Sequence, residues 1–473
     1  MTFQTVPVNI TGPTYQDRSR PLSSQETRNF YHEVVESGKD HYVIKSFPGQ
    51  KLLNASVGLS DRGMFRMKEI AYRVVDKVLY EVNSFGKHTN RGAIDGAERC
   101  TFATDGEVLV IVSNGIVHGY NSTTKAVTVA TDASIVGALS VSYINSQFIY
   151  TFPSLTVFSD VGDWSTASSL NAMNAESDPD NLVRDYVFDQ VVYRFGQRST
   201  EGVYNSGVGT PPFARVEGLQ FNVGLAAKHS IANTKSFVYW LGSDNNIYRA
   251  RGGHDQVIST ASIVGEINKY STVSDAFAQT FTIDNLNIYM ITFPTGKKTW
   301  CLIEEYGDKG WFTLAQGIND GVYNASSILS IYNKTFIGEK QGKLLKLDFD
   351  SFDQYGSAWQ RRRVLASVNG GIFQQNGKRV QMSRMEFLME TGTGLNPDVQ
   401  GSDPKLMIEA SYDGGRTWTT GAWLKVGRLG EFDIRAEWFS MKSFYDMVVR
   451  ITTSDPVSLN IYSASIDLRL AGR

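Results

Sequence analysis

The stretch QTFTIDNLNIYMITFPTGKKTWCLIEE, residues Gln279–Glu305, decides the fold prediction. It contains three runs rich in β-branched and aromatic residues, Thr280–Ile283, Asn287–Phe293 and Thr299–Ile303. An Asp-Asn pair separates the first two runs. The last two are separated by Pro294–Lys297, which is turn chemistry because proline fixes φ and glycine tolerates positive φ. The stretch therefore predicts three consecutive strands joined by two tight turns.

Units of the same texture recur along the chain. Six further stretches show the same order of strand and turn: Tyr72–Val82, Phe102–Tyr120, Val141–Phe158, Tyr186–Tyr204, Lys228–Ala250 and Tyr323–Leu347. A spacing of about 30 to 50 residues is expected of propeller blades, which bury their apolar faces by packing in a ring. We therefore predict an all-β protein with a β-propeller of six to eight blades in residues 46–350. The alternative is a large irregular β-sandwich.

The two flanks of the repeats differ from them in texture. Residues 1–45 are predicted to be an N-terminal arm, or strands that complete a later sheet. Within them, Ser24–Val35 predicts a short helix with a serine cap, and Pro7 makes Phe3–Ile10 an edge strand at best. Residues 351–473 contain alternating segments such as Lys378–Met389 and are predicted to form a separate β-sandwich-like domain.

Composition limits the classes of function. The chain has 473 residues, 41% of them hydrophobic, so it can bury a core, and its formal net charge of -2 argues against tight binding of nucleic acid by charge alone. Cys100 and Cys301 lie at or beside apolar strands and are predicted to be buried free thiols. The apolar runs are too short to span a bilayer, so we expect no membrane segment, and the sequence shows no signal peptide.

One motif matches a known turn. The segment from Ser411 to Trp418, SYDGGRTW, fits the Asp-box pattern S-x-D-x-G-x-T-W, with Asp413 and Gly415 at its fixed positions. In such a turn the aspartate accepts backbone N–H bonds, the glycine takes an unusual φ and the tryptophan packs beneath. Asp-boxes occur in sialidases and other propellers, away from the active site. We therefore predict a structural role, since the sequence singles out no pair of facing carboxylates for glycosidase chemistry.

Other candidate chemistry is sparse. The histidines do not pair with Cys, Asp or Glu at metal-ligand spacing, and no nucleotide or hydrolase fingerprint is present, so we expect no metal, no cofactor and no catalytic residue. The acidic segment Glu176–Asp180 predicts a solvated turn. On these grounds the chain is predicted not to be an enzyme.

The compact basic run Arg361-Arg362-Arg363 is a candidate contact site. In an extended strand Arg361 and Arg363 face one way and Arg362 the other. These side chains would meet phosphate or an acidic partner, or else they would guard an exposed sheet edge by charge.

Both ends of the chain resemble a known family. Ser19–Glu33, the Ser46–Gly49 turn and the hairpin Tyr72–Val82 resemble the opening of the packaged-DNA stabilisation proteins, the tail hub or nozzle proteins of P22-like short-tailed phages. Asp413–Thr417 and Arg435–Leu470 resemble the closing hairpin and strands of that family. The chain departs from the family pattern at one turn, where it has Met-Lys in place of a common glycine.

The resemblance implies a structural role in a phage tail. A protein of this kind forms a ring, six copies by analogy, below the portal and its adaptor, the head-to-tail protein. It extends the DNA channel, supports the tail needle and the attachment of tailspikes or fibres, and keeps packaged DNA in place until ejection. DNA passes through without tight binding. The protein is made in the host cytoplasm and resides in the virion. The alternative is a carbohydrate-binding or carbohydrate-active propeller protein acting on host surface glycans.

Overall fold

The structure, a computed structural model, describes residues 2–17, 23–35, 42–174 and 180–471. Described residues before the first complete blade form six strands: β1 Gln4–Val8, β2 Tyr15–Gln16, β3 Ser24–Arg28, β4 Phe30–Val34, β5 Tyr42–Ser46 and β6 Gly49–Asn54. The acidic segment predicted as a turn, Glu176–Asp180, lies outside the described residues except for Asp180, and His41 also lies outside them.

Five blades follow, each a four-stranded antiparallel meander. Their strands are β7 Asp61–Met67, β8 Ile70–Val75, β9 Val78–Val82 and β10 His88–Ala93; β11 Thr101–Thr104, β12 Val108–Ser113, β13 Ile116–Asn121 and β14 Val127–Val129; β15 Ser140–Ile144, β16 Gln147–Thr151, β17 Leu155–Phe158 and β18 Ala172–Asn174; β19 Leu182–Phe188, β20 Val191–Gly196, β21 Thr200–Asn205 and β22 Phe213–Phe221; and β23 Ala232–Asn233, β24 Val238–Leu241, β25 Ile247–Arg251 and β26 His254–Val257.

Two more blades complete the ring. A short helix, α1 Ala261–Ile267, precedes β27 Phe277–Ile283, β28 Leu286–Phe293, β29 Lys298–Ile303, a 3-10 helix Glu304–Gly310 and β30 Trp311–Leu314; then come β31 Ala325–Ile331, β32 Lys334–Glu339 and β33 Leu344–Asp348. Strand β6 pairs with β33 and closes the ring. Six blades are separate four-stranded sheets, and the seventh, β27–β30, continues into the sheet of the second domain. The predicted propeller is thus confirmed.

The hairpin that decided the prediction has the expected turn. Asp284 and Asn285 both have positive φ, 46° and 65°, and join two strands paired in register from Ile283 and Leu286 outward. Two positive φ values define a type I′ turn, whose twist matches that of the strands it joins. The same pair of positive φ values recurs at Asn145-Ser146 and at Tyr332-Asn333. Short polar turns of this kind fix the register of the repeated hairpins.

The C-terminal residues form a two-sheet sandwich. Its strands are β34 Arg361–Val364, β35 Val368–Asn369, β36 Val380–Met389, β37 Lys405–Ser411, β38 Ala422–Lys425, β39 Ala436–Phe439, β40 Ser443–Phe444, β41 Asp446–Thr453 and β42 Ile461–Leu470, with a 3-10 helix Gly370–Phe373. One sheet has the order β39-β36-β42-β5-β4, and the facing sheet contains β3-β34-β41-β37-β38. Both pack on one apolar core that includes Phe30, Met385, Ile408 and Ile466.

The predicted helix at Ser24–Val35 is wrong. This segment forms strands β3 and β4, which belong to the two different sheets of the sandwich. Asn29, between them, has φ of 56°, which a continuous helix cannot accommodate. Pairing on both edges of β3, with β30 and with β34, outweighs the local helical tendency.

Buried arginines connect neighbouring blades of the propeller. Arg73 forms an ion pair with Asp61 at 2.5 Å and donates to the Gly342 and Lys343 carbonyls of the adjoining blade. Arg194 forms an ion pair with Glu201 at 2.7 Å and donates to the Met173 and Asn174 carbonyls of β18, in the preceding blade. Both guanidinium groups are fully buried, yet each has a carboxylate partner and backbone acceptors.

Phe47 is an aromatic hub where the N-terminal strands meet the ring. Its fully buried ring lies 6.0–6.4 Å, between centroids, from Tyr31, Phe281, Phe312, Tyr323 and Trp359. Gly49 follows two residues later, and a Cβ there would lie 2.5 Å from a backbone oxygen of residue 351. Close packing on both sides therefore fixes the path of the chain into β6.

The state of the cysteines and the absence of a membrane segment were also predicted from the sequence. Cys100 and Cys301 are free and buried, as predicted. Across the part of the chain that the structure describes, no helix is long and apolar enough to cross a membrane.

Phe47→Ala is expected to lower the free energy of unfolding by about 3–5 kcal/mol, because it removes a ring that five others enclose and leaves a cavity. Phe85→Ala is the matched control, since the Phe85 side chain is 80% exposed. Denaturant unfolding of both variants measures the difference. Equal stability of the two variants would contradict the role of Phe47 as a hub.

Candidate functional site: the axial channel of the propeller

The seven innermost strands enclose a cavity on the propeller axis. Its volume is 510 Å³, and residues from or just before β7, β11, β15, β19, β23, β27 and β31 line it. The first strand of each blade contributes, and these strands run in the same direction around the ring. Their first residues therefore meet at one mouth of the channel.

Basic residues gather at that mouth of the channel. Arg99, Arg184 and His229 are part of its lining, and none of the lining residues in the described chain is Asp or Glu. Arg99 precedes β11, Arg184 is near the start of β19 and His229 precedes β23. Chain topology therefore brings together three basic residues that are separated by 45 or more positions in the sequence.

Arg99 is held by contacts that use only part of its guanidinium. The group lies 3.8 Å from the centroid of the Phe277 ring, and its Nη2 donates to the backbone and side-chain oxygens of Ser326. Burial lowers the pKa of Arg99 to about 10, an effect that the Asp61 carboxylate partly offsets. That carboxylate already pairs with Arg73. The remaining N–H groups of Arg99 make no hydrogen bond with the described residues, so these donors are available to the channel.

Arg184 and His229 likewise have hydrogen-bonding groups available to the channel. Arg184 Nη1 donates to the Lys228 carbonyl at 3.0 Å, while its buried Nε has no partner among the described residues. Burial, together with the positive charges of Arg184, Arg99 and Lys228, holds the pKa of His229 well below its ordinary value. The imidazole is therefore neutral near pH 7 and offers one N–H donor and one acceptor.

The lining is rich in hydrogen-bond donors. Among its described residues there is no pair of carboxylates of the kind that most glycoside hydrolases use. Among the residues that the structure covers, no group of three His, Cys, Asp or Glu side chains is arranged to hold a metal ion. The two arginines and the neutral histidine offer N–H donors that an anion could accept.

The Asp-box segment forms a tight loop after β37. Asp413 Oδ1 accepts from the backbone N–H groups of Arg416 and Thr417 at 2.9 Å, and Oδ2 accepts from the Thr417 hydroxyl at 2.6 Å. Ser411 Oγ donates to Asp413 Oδ1 and accepts from the Gly415 N–H, both at 2.7 Å. The ring of Trp418 lies under the Arg450 guanidinium at 4.1 Å. These contacts are the ones that a structural turn requires.

The basic run of β34 is not a surface contact site. Arg361 and Arg363 are fully buried on one face, and Arg362 lies half-buried on the other, as the alternation predicts. Arg361 donates to the Val457 carbonyl, and Arg363 donates to the Ile10 carbonyl at 2.8 Å. The reading as an exposed edge is also wrong, because β34 lies between β3 and β41.

Burial changes the acid–base properties of these two arginines. It lowers the pKa of Arg361 to about 10 and that of Arg363 to about 9. Both remain charged at neutral pH, and their backbone acceptors take the place of solvent. Their role is therefore to join the N-terminal residues to the sandwich.

Some of the residues predicted from sequence do come together. Arg362, Gly415 and Trp418 line a small cavity of 210 Å³, with Glu26 and Arg450 beside them. Arg450 is already paired in both positions with Glu409, at 2.7 and 2.8 Å. Arg362 Nη2 donates to the Gln360 side chain at 2.9 Å. Arg362 Nη1 also lies 3.7 Å from Glu26 Oε2, so both arginines of this cavity have a carboxylate partner, unlike those of the axial channel.

Sequence reasoning did not identify the channel residues. Arg99, Arg184 and His229 occur singly, in different repeats, and no local motif marks them. The available signal was positional, because each precedes or begins the first strand of its repeat. Reading it requires knowing which strand of each blade is innermost.

Two family models match the chain. The model described as Bacteriophage P22 Gp10, beta-propeller, matches residues 4–352, and the model described as Bacteriophage P22 Gp10, beta-sandwich, matches residues 367–469. No curated protein sequence matches the chain.

Similar solved structures are distant in sequence. The structure of U3-55K is 8% identical, with a TM-score of 0.41, and the alignment covers 64% of this chain and 99% of that chain. The computationally designed Ika8 protein is 10% identical, with a TM-score of 0.39, covering 68% and 99%. PorZ of the type-IX secretion system of Porphyromonas gingivalis is 12% identical, with a TM-score of 0.39, covering 80% of this chain and 46% of that chain. Nothing about function follows from likeness at this level.

Arg363→Gln is expected to lower the free energy of unfolding by about 2–4 kcal/mol, because it leaves the Ile10 carbonyl and the Thr27 hydroxyl without their buried donor. Arg362→Gln, on the opposite face of the same strand, is the matched control and should have a small effect. Thermal and denaturant unfolding measure both. A similar loss of unfolding free energy in the two variants would show that the charge of the strand, rather than the buried hydrogen bonds of Arg363, stabilises the protein.

Asp413→Ala is expected to lower the melting temperature, because the loop loses the acceptor of five hydrogen bonds. Bonds from the Thr417 and Ser411 side chains hold the pKa of Asp413 well below its ordinary value. A lowered folded-state pKa stabilises above the ordinary carboxyl pKa of about 3.9, and this contribution is lost as the pH falls below it. The gap between wild type and variant should therefore narrow in acid. A gap that widens in acid would contradict the assignment.

Proposed function

We propose, from the premise that this chain belongs to the bacteriophage P22 Gp10 family of phage structural proteins that stabilise packaged DNA, that it is the tail hub, or nozzle, of a short-tailed phage. In this role, copies of the chain form a ring, six by analogy, below the portal and its adaptor. The ring extends the DNA channel, supports the tail needle and provides the attachment for tailspikes or fibres. The observation that carries the proposal is the match of both domains, residues 4–352 and 367–469, to the same family.

The size of the axial cavity bears on the path of DNA. A sphere of 510 Å³ is about 10 Å across, which is narrower than the major groove of B-DNA alone, about 12 Å. Duplex DNA therefore does not thread one propeller. A channel for DNA has to be enclosed by several copies of the chain, which supports a ring.

The charge of the chain supports a wall that lets DNA slide. Each phosphate that a protein neutralises adds affinity by releasing counterions, and many such contacts around a ring would hold the polymer. A formal net charge of -2 does not favour that binding. The packaged DNA would then be retained by the completed ring and by the tail needle, which blocks the channel.

Exposed apolar side chains on the sandwich support contacts with other proteins of the tail. Large residues with more than 60% exposure gather in residues 423–445: Trp423, Leu429, Phe432, Phe439, Met441 and Tyr445. Large apolar side chains that are exposed in such number are a common feature of interaction surfaces.

Phage particles assembled without this protein are expected to package DNA and then lose it, because nothing completes the channel below the adaptor. The DNA content of purified particles, measured with and without complementation by the wild-type chain, tests this. Stable DNA-filled particles that lack the protein would contradict the hub role.

The isolated chain is expected to bind free duplex DNA weakly or not at all at physiological salt, because a sliding wall must not hold phosphates. Fluorescence anisotropy with a labelled duplex over a range of salt concentrations measures this. Tight binding that is independent of DNA sequence would contradict the proposed mechanism of retention, although it would leave the location in the tail untouched.

A further inference from the structure

The half-buried arginines of the axial channel differ from the fully buried arginines of the propeller. Arg73 and Arg194 each have a carboxylate partner, at 2.5 and 2.7 Å. Arg62 has no such partner but donates to four backbone carbonyls. Arg99 and Arg184 have no ion pair among the described residues, each uses a single guanidinium nitrogen in hydrogen bonds, and the cavity they face has no acidic lining residue there. Their remaining N–H groups are therefore open to the channel.

The free hydrogen-bonding groups in the channel point to the same deficit. Arg99 uses only Nη2 and Arg184 only Nη1 in hydrogen bonds. Arg184 Nε and Gln279 Oε1 are buried without a partner among the described residues. Arg184 Nε is a donor, whereas Gln279 Oε1 is an acceptor, so the unfilled donors that face the cavity are the arginine N–H groups, and a ligand that accepts hydrogen bonds would satisfy them.

We propose that the axial channel binds a phosphoryl group, held by Arg99, Arg184 and His229, and supplied as free phosphate or as the end of a mononucleotide. Guanidinium groups present forked N–H donors that match a tetrahedral oxyanion, and the neutral imidazole adds a further donor. A bound anion would neutralise the two arginines in place. This site is separate from the hub role and does not depend on it.

The size of the cavity fits a small ligand and excludes a large one. Its 510 Å³ lies within the range of small-molecule sites, about 300–1,000 Å³, and is too narrow for a duplex. Aromatic side chains form part of the wall beyond the arginines: Phe65, Phe102, Tyr143 and Tyr186. Such a wall can stack on a base, which makes a mononucleotide a natural second source of the phosphoryl group.

The primary test is titration calorimetry of the full chain with inorganic phosphate at constant ionic strength. We expect saturable binding of one phosphate per chain. A parallel titration with dAMP distinguishes the sources, since tighter binding of dAMP identifies a nucleotide site, and weaker or absent binding identifies a site for the free anion. Absence of saturable binding of both ligands would overturn the proposal.

Variants assign the binding to the channel. Arg99→Gln and Arg184→Gln should each weaken phosphate binding by roughly 10- to 100-fold, the loss of one charge-assisted contact. Arg66→Gln is the matched control, because Arg66 lies on the propeller surface with its side chain 47% exposed. It should bind phosphate as the wild type does. Binding that persists in both channel variants, or is lost in the control, would overturn the assignment.

Stability without ligand separates a receptor from a structural role. In phosphate-free buffer, Arg184→Gln should melt no lower than wild type, because it removes an uncompensated charge, and it should lose the rise in melting temperature that phosphate gives the wild type. A large fall in melting temperature without phosphate, or failure to fold, would show that Arg184 serves the fold. In that case Arg184→Lys, which keeps the charge but not the fork, must still weaken phosphate binding for the site to stand.

Discussion

Strand β3 is the joint on which the rest of the structure depends. Its Arg28 pairs with Thr313 at the edge of a propeller blade, while Glu26 on the same strand pairs with Val364 of the sandwich. Strand β3 thereby makes the seventh blade of the propeller, β27–β30, continuous with one sheet of the sandwich. Backbone hydrogen bonds on both edges fix the position of β3.

The position of β3 also determines where the next strands lie. Strands β4 and β5 enter the facing sheet of the sandwich, and β6 returns to close the ring. Arg363 and Phe47 pack the two sides of this joint.

The sequence allowed the repeated hairpins to be predicted because their cause is local. Alternation, aromatic content and turn pairs such as Asp284-Asn285 act within a few residues, and the structure has strands at each predicted unit. The errors have non-local causes. Ser24–Val35 has the composition of a helix, yet its first half pairs with the distant strand β34 and its second half pairs with the nearby strand β5. Arg363 looked like a surface charge because its acceptors, near Ile10 and Thr27, lie at the other end of the chain.

The axial channel could not be predicted for a related reason. A propeller turns positions that are far apart in sequence into neighbours around one axis, so a site there has no spacing that a motif could express. Arg99 and His229 are each unremarkable in their own repeats, and only the ring places them around one cavity. The contrast with Arg73 is informative, because its Asp61 partner lies in the same blade. The Arg73 charge is thus balanced within its blade, whereas Arg99 and Arg184 face the axis without an ion pair among the described residues.

The pairing of β1 with β42 sets an order of events during synthesis. Gln4 lies opposite Leu468, so β1 cannot pair with its partner until β42 has been made. The same holds for β6, whose partner β33 emerges almost 300 residues later. Blades such as β7–β10 can form as they emerge, but the ring cannot close before β33 has been made, and the sandwich cannot be completed before β42 has been made. Partly made chains therefore carry unpaired strand edges, which are open to wrong pairing until those partner strands emerge.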